Sequence, residues 1–104
     1  MGKAVPITEE KDFRAIFSSK ENAIIYFTAT WCGPCKMVSP QFGKLSNLNS
    51  KFKFYKLDND EMLDIFRECK VTSIPYFKKV VAGEIVDDLL TVDPDILSNW
   101  VLKE

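Results

Sequence analysis

Five consecutive apolar residues, Ala23-Ile24-Ile25-Tyr26-Phe27, run through Thr28-Ala29-Thr30-Trp31 directly into Cys32-Gly33-Pro34-Cys35-Lys36. An apolar run without polar alternation is that of a central strand covered on both faces. The chain must therefore supply helices for two faces of a sheet, which points to an α/β domain. Gly33-Pro34 leads into a helix, because Pro34 lacks an N–H and fits a first helical position. The two cysteines thus stand three residues apart at a strand-to-helix junction.

The flanking segments supply the partners. Lys3 to Ile7 reads as a short edge strand, since Pro6 cannot donate to a sheet ladder. Thr8 is placed as the N-cap of a helix running to about Ser19, with Glu9 and Glu10 in its first turn and Phe13, Ile16 and Phe17 at helical spacing. Lys20-Glu21-Asn22 is a polar break. Beyond the cysteines, Met37, Val38, Gln41, Phe42, Leu45 and Leu48 give the second helix one mostly apolar face, and Pro40 inside it predicts a kink. Phe52 and Phe54 alternate with Lys51 and Lys53 in a strand that runs through Leu57. Asp58-Asn59-Asp60 ends that strand and is expected to cap a third helix carrying Met62, Leu63, Ile65, Phe66 and Cys69. Val71 to Pro75 is a loop. Tyr76–Val81 and Glu84–Leu90 form an antiparallel hairpin about Ala82-Gly83. Asp93-Pro94 opens a last helix whose buried stripe is Ile96, Leu97, Trp100 and Val101. The order is β-α-β-α-β-α-β-β-α: a mixed sheet of about five strands flanked by four helices. Residues 1–104 form one domain without a linker or repeat.

Function classes narrow quickly. The chain has no histidine, so Cys-His and Ser-His nucleophile pairs and Cys/His zinc sites are excluded. A formal net charge of −1 gives no reason to expect nucleic acid or an anionic membrane as a partner. No apolar run approaches the ~20 residues needed to span a bilayer. Met1 to Pro6 lacks the apolar core of a secretory signal, and Pro6 stands where myristoylation wants Ser or Thr. An intracellular or already processed soluble protein is expected.

Residues three apart on a helix share a face, so Cys32 and Cys35 can close a small disulfide ring. At a helix N-terminus, free N–H groups and the dipole favour thiolate on the first cysteine. A thiolate attacks a disulfide sulfur through a mixed disulfide, which the second cysteine can resolve. Gly33 admits close backbone approach, Pro34 stiffens the ring, and Trp31 offers a flat apolar surface. Two rival readings are a metal knuckle and a pair of inert thiols. The first needs four ligands, and Cys69 is the one cysteine left over; the second ignores the strand-to-helix placement. A redox dithiol is the favoured reading. Cys69, on a stripe with Met62, Ile65 and Phe66, is expected to be a buried inert thiol, and Trp100 a core residue. Lys36 either favours the thiolate electrostatically or is simply solvated.

On these residues the sequence resembles the thioredoxin family over nearly its whole length. Trp31-Cys32-Gly33-Pro34-Cys35-Lys36 is that family's active-site motif in full. Pro40 matches its helix-kinking proline, Asp58-Asn59-Asp60-Glu61 its acidic segment, and Gly83 its hairpin glycine. Ile74-Pro75 matches the loop where the family holds a cis proline opposite the cysteines and pairs with clients. The resemblance implies the thioredoxin fold and a dithiol–disulfide oxidoreductase that reduces protein disulfides. Cys32 would be the nucleophile and Cys35 the resolving thiol, working through a redox-active disulfide with no bound cofactor. Trp31, Gly33, Pro34, Lys36, Ile74, Pro75 and Thr91 would shape the client site. The partners implied are disulfide-containing clients and an NADPH-linked thioredoxin reductase. A monomer in the cytoplasm is expected, with a mature mitochondrial form as the alternative.

Some positions depart from that pattern. Six residues before Cys32 the family carries a buried aspartate paired with a lysine; here Tyr26 stands there, while the lysine remains as Lys56. Tyrosine titrates far above aspartate, so exchange is expected to be slower than in an aspartate-bearing relative and Tyr26→Asp to speed it. The alternative is that Tyr26 fills core space with its hydroxyl bonded. Tyr76 replaces a threonine, Lys78 and Lys79 interrupt an apolar strand, and Thr91 replaces a glycine of the client groove, which its Cβ narrows. These suggest an unusual client preference or a weak fit to the standard reductase; solvated edge-strand lysines and a tolerated loop threonine are the plainer account. A different functional class, a redox-gated binding adaptor with little turnover, is the second reading. An oxidase or isomerase is a third, against which the lack of a secretory signal argues.

Overall fold

The apolar run lies in the middle of the sheet, as its two-sided character demands. The computed structural model describes residues 4–103; Lys3, the expected start of the first strand, lies outside the described residues. In chain order the elements are β1 (Val5–Pro6), α1 (Glu10–Ser18), β2 (Ala23–Thr28), a 3-10 turn (Pro34–Met37), α2 (Ser39–Leu48), β3 (Lys53–Asp58), α3 (Leu63–Glu68), β4 (Tyr76–Val81), β5 (Glu84–Leu90) and α4 (Pro94–Leu102). The sheet order is β1-β3-β2-β4-β5. β2 pairs parallel with β3 on one side and antiparallel with β4 on the other. Proline-bearing β1 sits at one edge, beside β3.

Alternate residues of β2 feed two cores. Ile24 and Tyr26 join Phe42, Leu45, Phe54, Phe77, Leu97 and Trp100 under α2 and α4. Ile25 and Phe27 join Phe13, Ile16, Leu57, Ile65 and Phe66 under α1 and α3. At the hairpin, Ala82 and Gly83 both have positive φ (52° and 78°), as a tight two-residue turn requires. A Cβ on Gly83 would fall 2.5 Å from the Phe17 carbonyl oxygen, so this turn also closes against the end of α1.

Four local expectations need correction. Helix α1 starts at Glu10 with Glu9, not Thr8, at the N-cap and no side-chain cap. Ile7 is buried and donates its N–H to the Lys56 carbonyl (2.9 Å), which keeps the chain extended two residues longer. Pro40 does not kink a continuous helix; it falls in the first turn of α2, where no N–H is needed, and separates α2 from the 3-10 turn. Met37, Leu48 and Ile96 are exposed: Leu48 lies roughly 90° around α2 from the Phe42–Leu45 line, Met37 belongs to the 3-10 turn before α2, and Ile96 falls outside the buried stripe of Leu97, Trp100 and Val101 on α4. Asp58 caps no helix. Its carboxylate accepts the N–H groups of Thr30 and Asp60 at 3.1 and 2.9 Å, and α3 begins too far along at Leu63.

Nor are Lys78 and Lys79 solvated edge residues, since β4 is flanked by β2 and β5 and both side chains are buried. Lys78 donates to Asp88 at 3.0 Å. Lys79 donates to the Trp100 carbonyl and lies 4.6 Å over the Trp100 ring, while the Trp100 Nε1–H donates to Asp87 at 2.9 Å. Burial, the main cause, pushes the Lys79 amine below its ordinary value, against the pull of Asp87. A base with a lowered folded pKa is held neutral more readily in the fold than in the unfolded chain. Stability therefore rises with pH from the folded value up to the unfolded value of about 10.4. Lys79→Met should lack this rise, so the parent's urea midpoint is expected to climb relative to the variant's as pH is raised across that window.

Candidate active site

Strand register brings the motif residues to one end of the sheet. Phe27 pairs with Tyr76, and Tyr76 pairs with Leu90. The segment after β2, the loop before β4 and the residue after β5 therefore converge: Trp31 to Lys36, Ile74-Pro75, and Thr91. The Ile74–Pro75 bond is cis, and Ile74 packs against the core cluster that contains both cysteines. Thr91 is half-buried, and its Oγ1 accepts the N–H of Asp93 at 3.0 Å.

Cys32 and Cys35 form a disulfide with 5.4 Å between their Cα atoms. Both are buried, while Trp31, Gly33, Pro34 and Lys36 around them are exposed. The helix end expected beneath Cys32 is a 3-10 turn of four residues with Gly33 as its N-cap. What reaches the first sulfur is one N–H, that of Cys35, which donates to Cys32 Sγ at 3.2 Å. The Trp31 ring is held by its Nε1–H to Asp60 (3.3 Å). Asp58, through Thr30, fixes the loop just before it.

Tyr26 is buried directly behind the second cysteine. Its ring stacks on Phe77 at 4.7 Å with an interplanar angle of 10° and lies 4.9 Å from Phe42. Its hydroxyl lies 3.1 Å from the Cys35 carbonyl oxygen and 2.8 Å from Ser39 Oγ, which is itself 2.9 Å from the same carbonyl. Lys56 is opposite Tyr26 in the sheet register, and its side chain lines a cavity of about 470 Å³ shared with Tyr26, Ser39, Asp58 and Glu61. Neither hydrogen bond of the Tyr26 hydroxyl goes to Lys56. Pro40 makes no part of the site beyond opening α2. Asp60 and Ser39 were invisible as site residues in the sequence. Only the Ser39-Pro40 placement, a hydroxyl just where a helix must restart, could have drawn attention to Ser39.

Cys69 lies on α3's side of the sheet, half-buried rather than enclosed. Burial, the largest cause, raises its thiol above the ordinary value, which favours the protonated form near neutrality. In the fully reduced protein, limiting iodoacetamide at neutral pH is expected to label Cys32 well before Cys69, as read by peptide mass spectrometry.

A reversible disulfide between a sulfur that receives an N–H and a second sulfur in the following turn is equipped for two-electron thiol–disulfide exchange. Among the described residues no group of three or more His, Cys, Asp or Glu is placed to hold a metal, and no helix is long and apolar enough to cross a membrane. Comparison with known proteins gives the same reading. The thioredoxin family model matches residues 4–103. Thioredoxin 1 of Plasmodium falciparum is 35% identical over 97 residues, covering 93% of each chain. The mitochondrial thioredoxin-3 of Saccharomyces cerevisiae is 35% identical over 95 residues, 91% of this chain and 75% of that one. Among solved structures, a Plasmodium falciparum thioredoxin superposes with a TM-score of 0.91 at 34% identity, covering 96% of this chain and 98% of that one. A Malassezia sympodialis thioredoxin gives 0.89 at 33% identity, covering 97% and 90%. Fold, motif and relatives agree: the chain belongs to the thioredoxin family and is a dithiol–disulfide oxidoreductase whose redox-active disulfide is Cys32–Cys35.

Proposed function

We propose that Cys32 is the attacking thiolate and Cys35 the resolving thiol of a protein-disulfide reductase formed by the single domain 1–104. The observation that carries the assignment is the asymmetry of the pair. The Cys35 N–H points at Cys32 Sγ, and a donor so placed stabilises that sulfur as a thiolate once the disulfide is reduced. Attack by Cys32 on a client disulfide breaks the client S–S bond and forms a Cys32–client bond. Cys35 then attacks Cys32 Sγ, the client leaves as a thiolate that takes up a proton, and the domain is oxidised by two electrons. Exposed Trp31, Gly33, Pro34 and Lys36, with Ile74, Pro75 and Thr91, form the surface that receives the client. Tyr26, Lys56 and Pro40 stand behind it.

Recharging by an NADPH-linked thioredoxin reductase, and work as a monomer, complete the proposal. A reductant of this type needs a reducing compartment: the cytoplasm first, with the mitochondrion as the alternative that the name of the yeast relative supports. The test is insulin reduction coupled to NADPH oxidation with several thioredoxin reductases, with molar mass measured by sedimentation. Sustained NADPH consumption is expected. No turnover with any reductase, beside tight redox-dependent binding of one partner, would replace this reading with the adaptor.

A further inference from the structure

We infer that the hydroxyls of Ser39 and Tyr26 form a clamp on the Cys35 carbonyl that holds the resolving cysteine in attack position while Cys32 is bonded to a client. This rests on the assignment of Cys35 as the resolving thiol.

Pro34 and Pro40 have no N–H, and the change from the 3-10 turn to α2 interrupts the helical ladder between them. The Cys35 carbonyl accepts the Val38 N–H at a long 3.2 Å. Its other lone pair faces two hydroxyls, from Ser39 at 2.9 Å and Tyr26 at 3.1 Å, which are 2.8 Å from each other. Each hydroxyl is within donating distance of the carbonyl, and either can instead donate to the other. Tyr26 anchors the pair in the core through Phe77 and Phe42, so the carbonyl is tied to the centre of the sheet.

The tie matters at one stage of the cycle. In the closed disulfide the S–S bond itself fixes Cys35. When Cys32 is bonded to a client that bond is gone, and the direction of Cys35 Sγ depends on its own main chain. Attack must then come in line with the Cys32–client bond. Cys35 loses its proton to solvent, the Cys32–Cys35 bond forms, the Cys32–client bond breaks, and the client leaves with the electron pair. Loss of alignment slows this intramolecular step. The first attack is touched far less, because the Cys35 N–H that meets Cys32 Sγ belongs to the peptide before the clamped carbonyl and the disulfide attacked is external. Ser39 and Tyr26 are positioning residues: they act through the Cys35 carbonyl and touch neither sulfur through a hydrogen bond.

The two steps separate with the aromatic disulfide DTNB, at a concentration where attack by Cys32 is the faster step. Each step releases one thionitrobenzoate, so in a Cys69→Ser background, which removes the third thiol, stopped-flow absorbance records two phases. Ser39→Ala and Tyr26→Phe are expected to slow the second phase by about two- to tenfold and leave the first within about twofold. Ser39→Thr should restore it. The double variant should be little slower than the slower single variant, since both act through one carbonyl. An unchanged second phase in Ser39→Ala overturns the clamp, as does equal slowing of both phases or failure of Ser39→Thr to rescue. If Tyr26→Phe does not fold, Ser39→Ala and Ser39→Thr decide alone. Absence of a second phase in the parent protein would instead overturn the assignment of Cys35 on which the clamp rests.

Discussion

Cys35→Ser is expected to abolish turnover while leaving the first attack intact, so the variant accumulates on its clients as Cys32 mixed disulfides. With Cys35 present, resolution is intramolecular: its Cα is 5.4 Å from that of Cys32. Without it, release waits for an external thiol at millimolar concentration. Effective molarities for well-aligned groups reach the molar range and far beyond, so reductase-coupled turnover should fall by on the order of 10³-fold or more. Cys32→Ser should be equally inactive but should trap little, because the N–H that favours a thiolate is aimed at the sulfur of position 32 and not at that of Cys35. Non-reducing electrophoresis and peptide mass spectrometry on the two variants separate these outcomes. Equal trapping by both would reverse the proposed roles. Cys69 offers little rescue, since it lies in the cluster on the opposite face of the sheet and its thiol is held protonated by burial.

How far the sequence could be read depended on the range of the interactions involved. The central strand, the disulfide pair and the hairpin glycine follow from neighbouring residues: an unbroken apolar run, a three-residue spacing, and a turn that requires positive φ. What escaped depends on distant partners. Lys79 looked like a surface interruption because its partners, the Trp100 carbonyl and ring, lie on the last helix. Once strand order placed β4 in the interior, the lysine had to be buried and satisfied there. The start of α1 moved because β3 holds Ile7 through the Lys56 carbonyl, which outweighed a favourable N-cap residue at Thr8. Pro40 marked the right place, but whether a proline kinks a helix or opens one depends on the turn before it. Ser39 was missed for the same reason: its hydroxyl has meaning only beside Tyr26, which reaches it across the sheet–helix interface.

Tyr26 carries the prediction on which sequence and structure pull in opposite directions. From the sequence, Tyr26→Asp supplies a carboxylate behind Cys35 and should speed exchange. In the structure the same substitution removes a ring that is 2% exposed and stacked on Phe77. Loss of a buried aromatic costs about 3–5 kcal/mol, and an aspartate is too short to reach the Cys35 carbonyl or Ser39. Its carboxylate would be ringed by Phe42 and Phe77. Desolvation there raises the folded pKa above the unfolded value of about 3.9. For an acid shifted upward, the folded state binds the proton more tightly, so the added destabilisation is absent below the unfolded pKa and grows as pH rises through the folded one. Urea midpoints should therefore show a deficit that widens from about pH 4 toward neutrality. Insulin reduction, normalised to the folded fraction, carries the separate question of rate. A gain means that the missing base limits resolution enough to outweigh a loosened clamp. An unchanged or lower rate would mean that the hydroxyl pair at Tyr26 and Ser39 contributes more to the resolving step than a carboxylate can return.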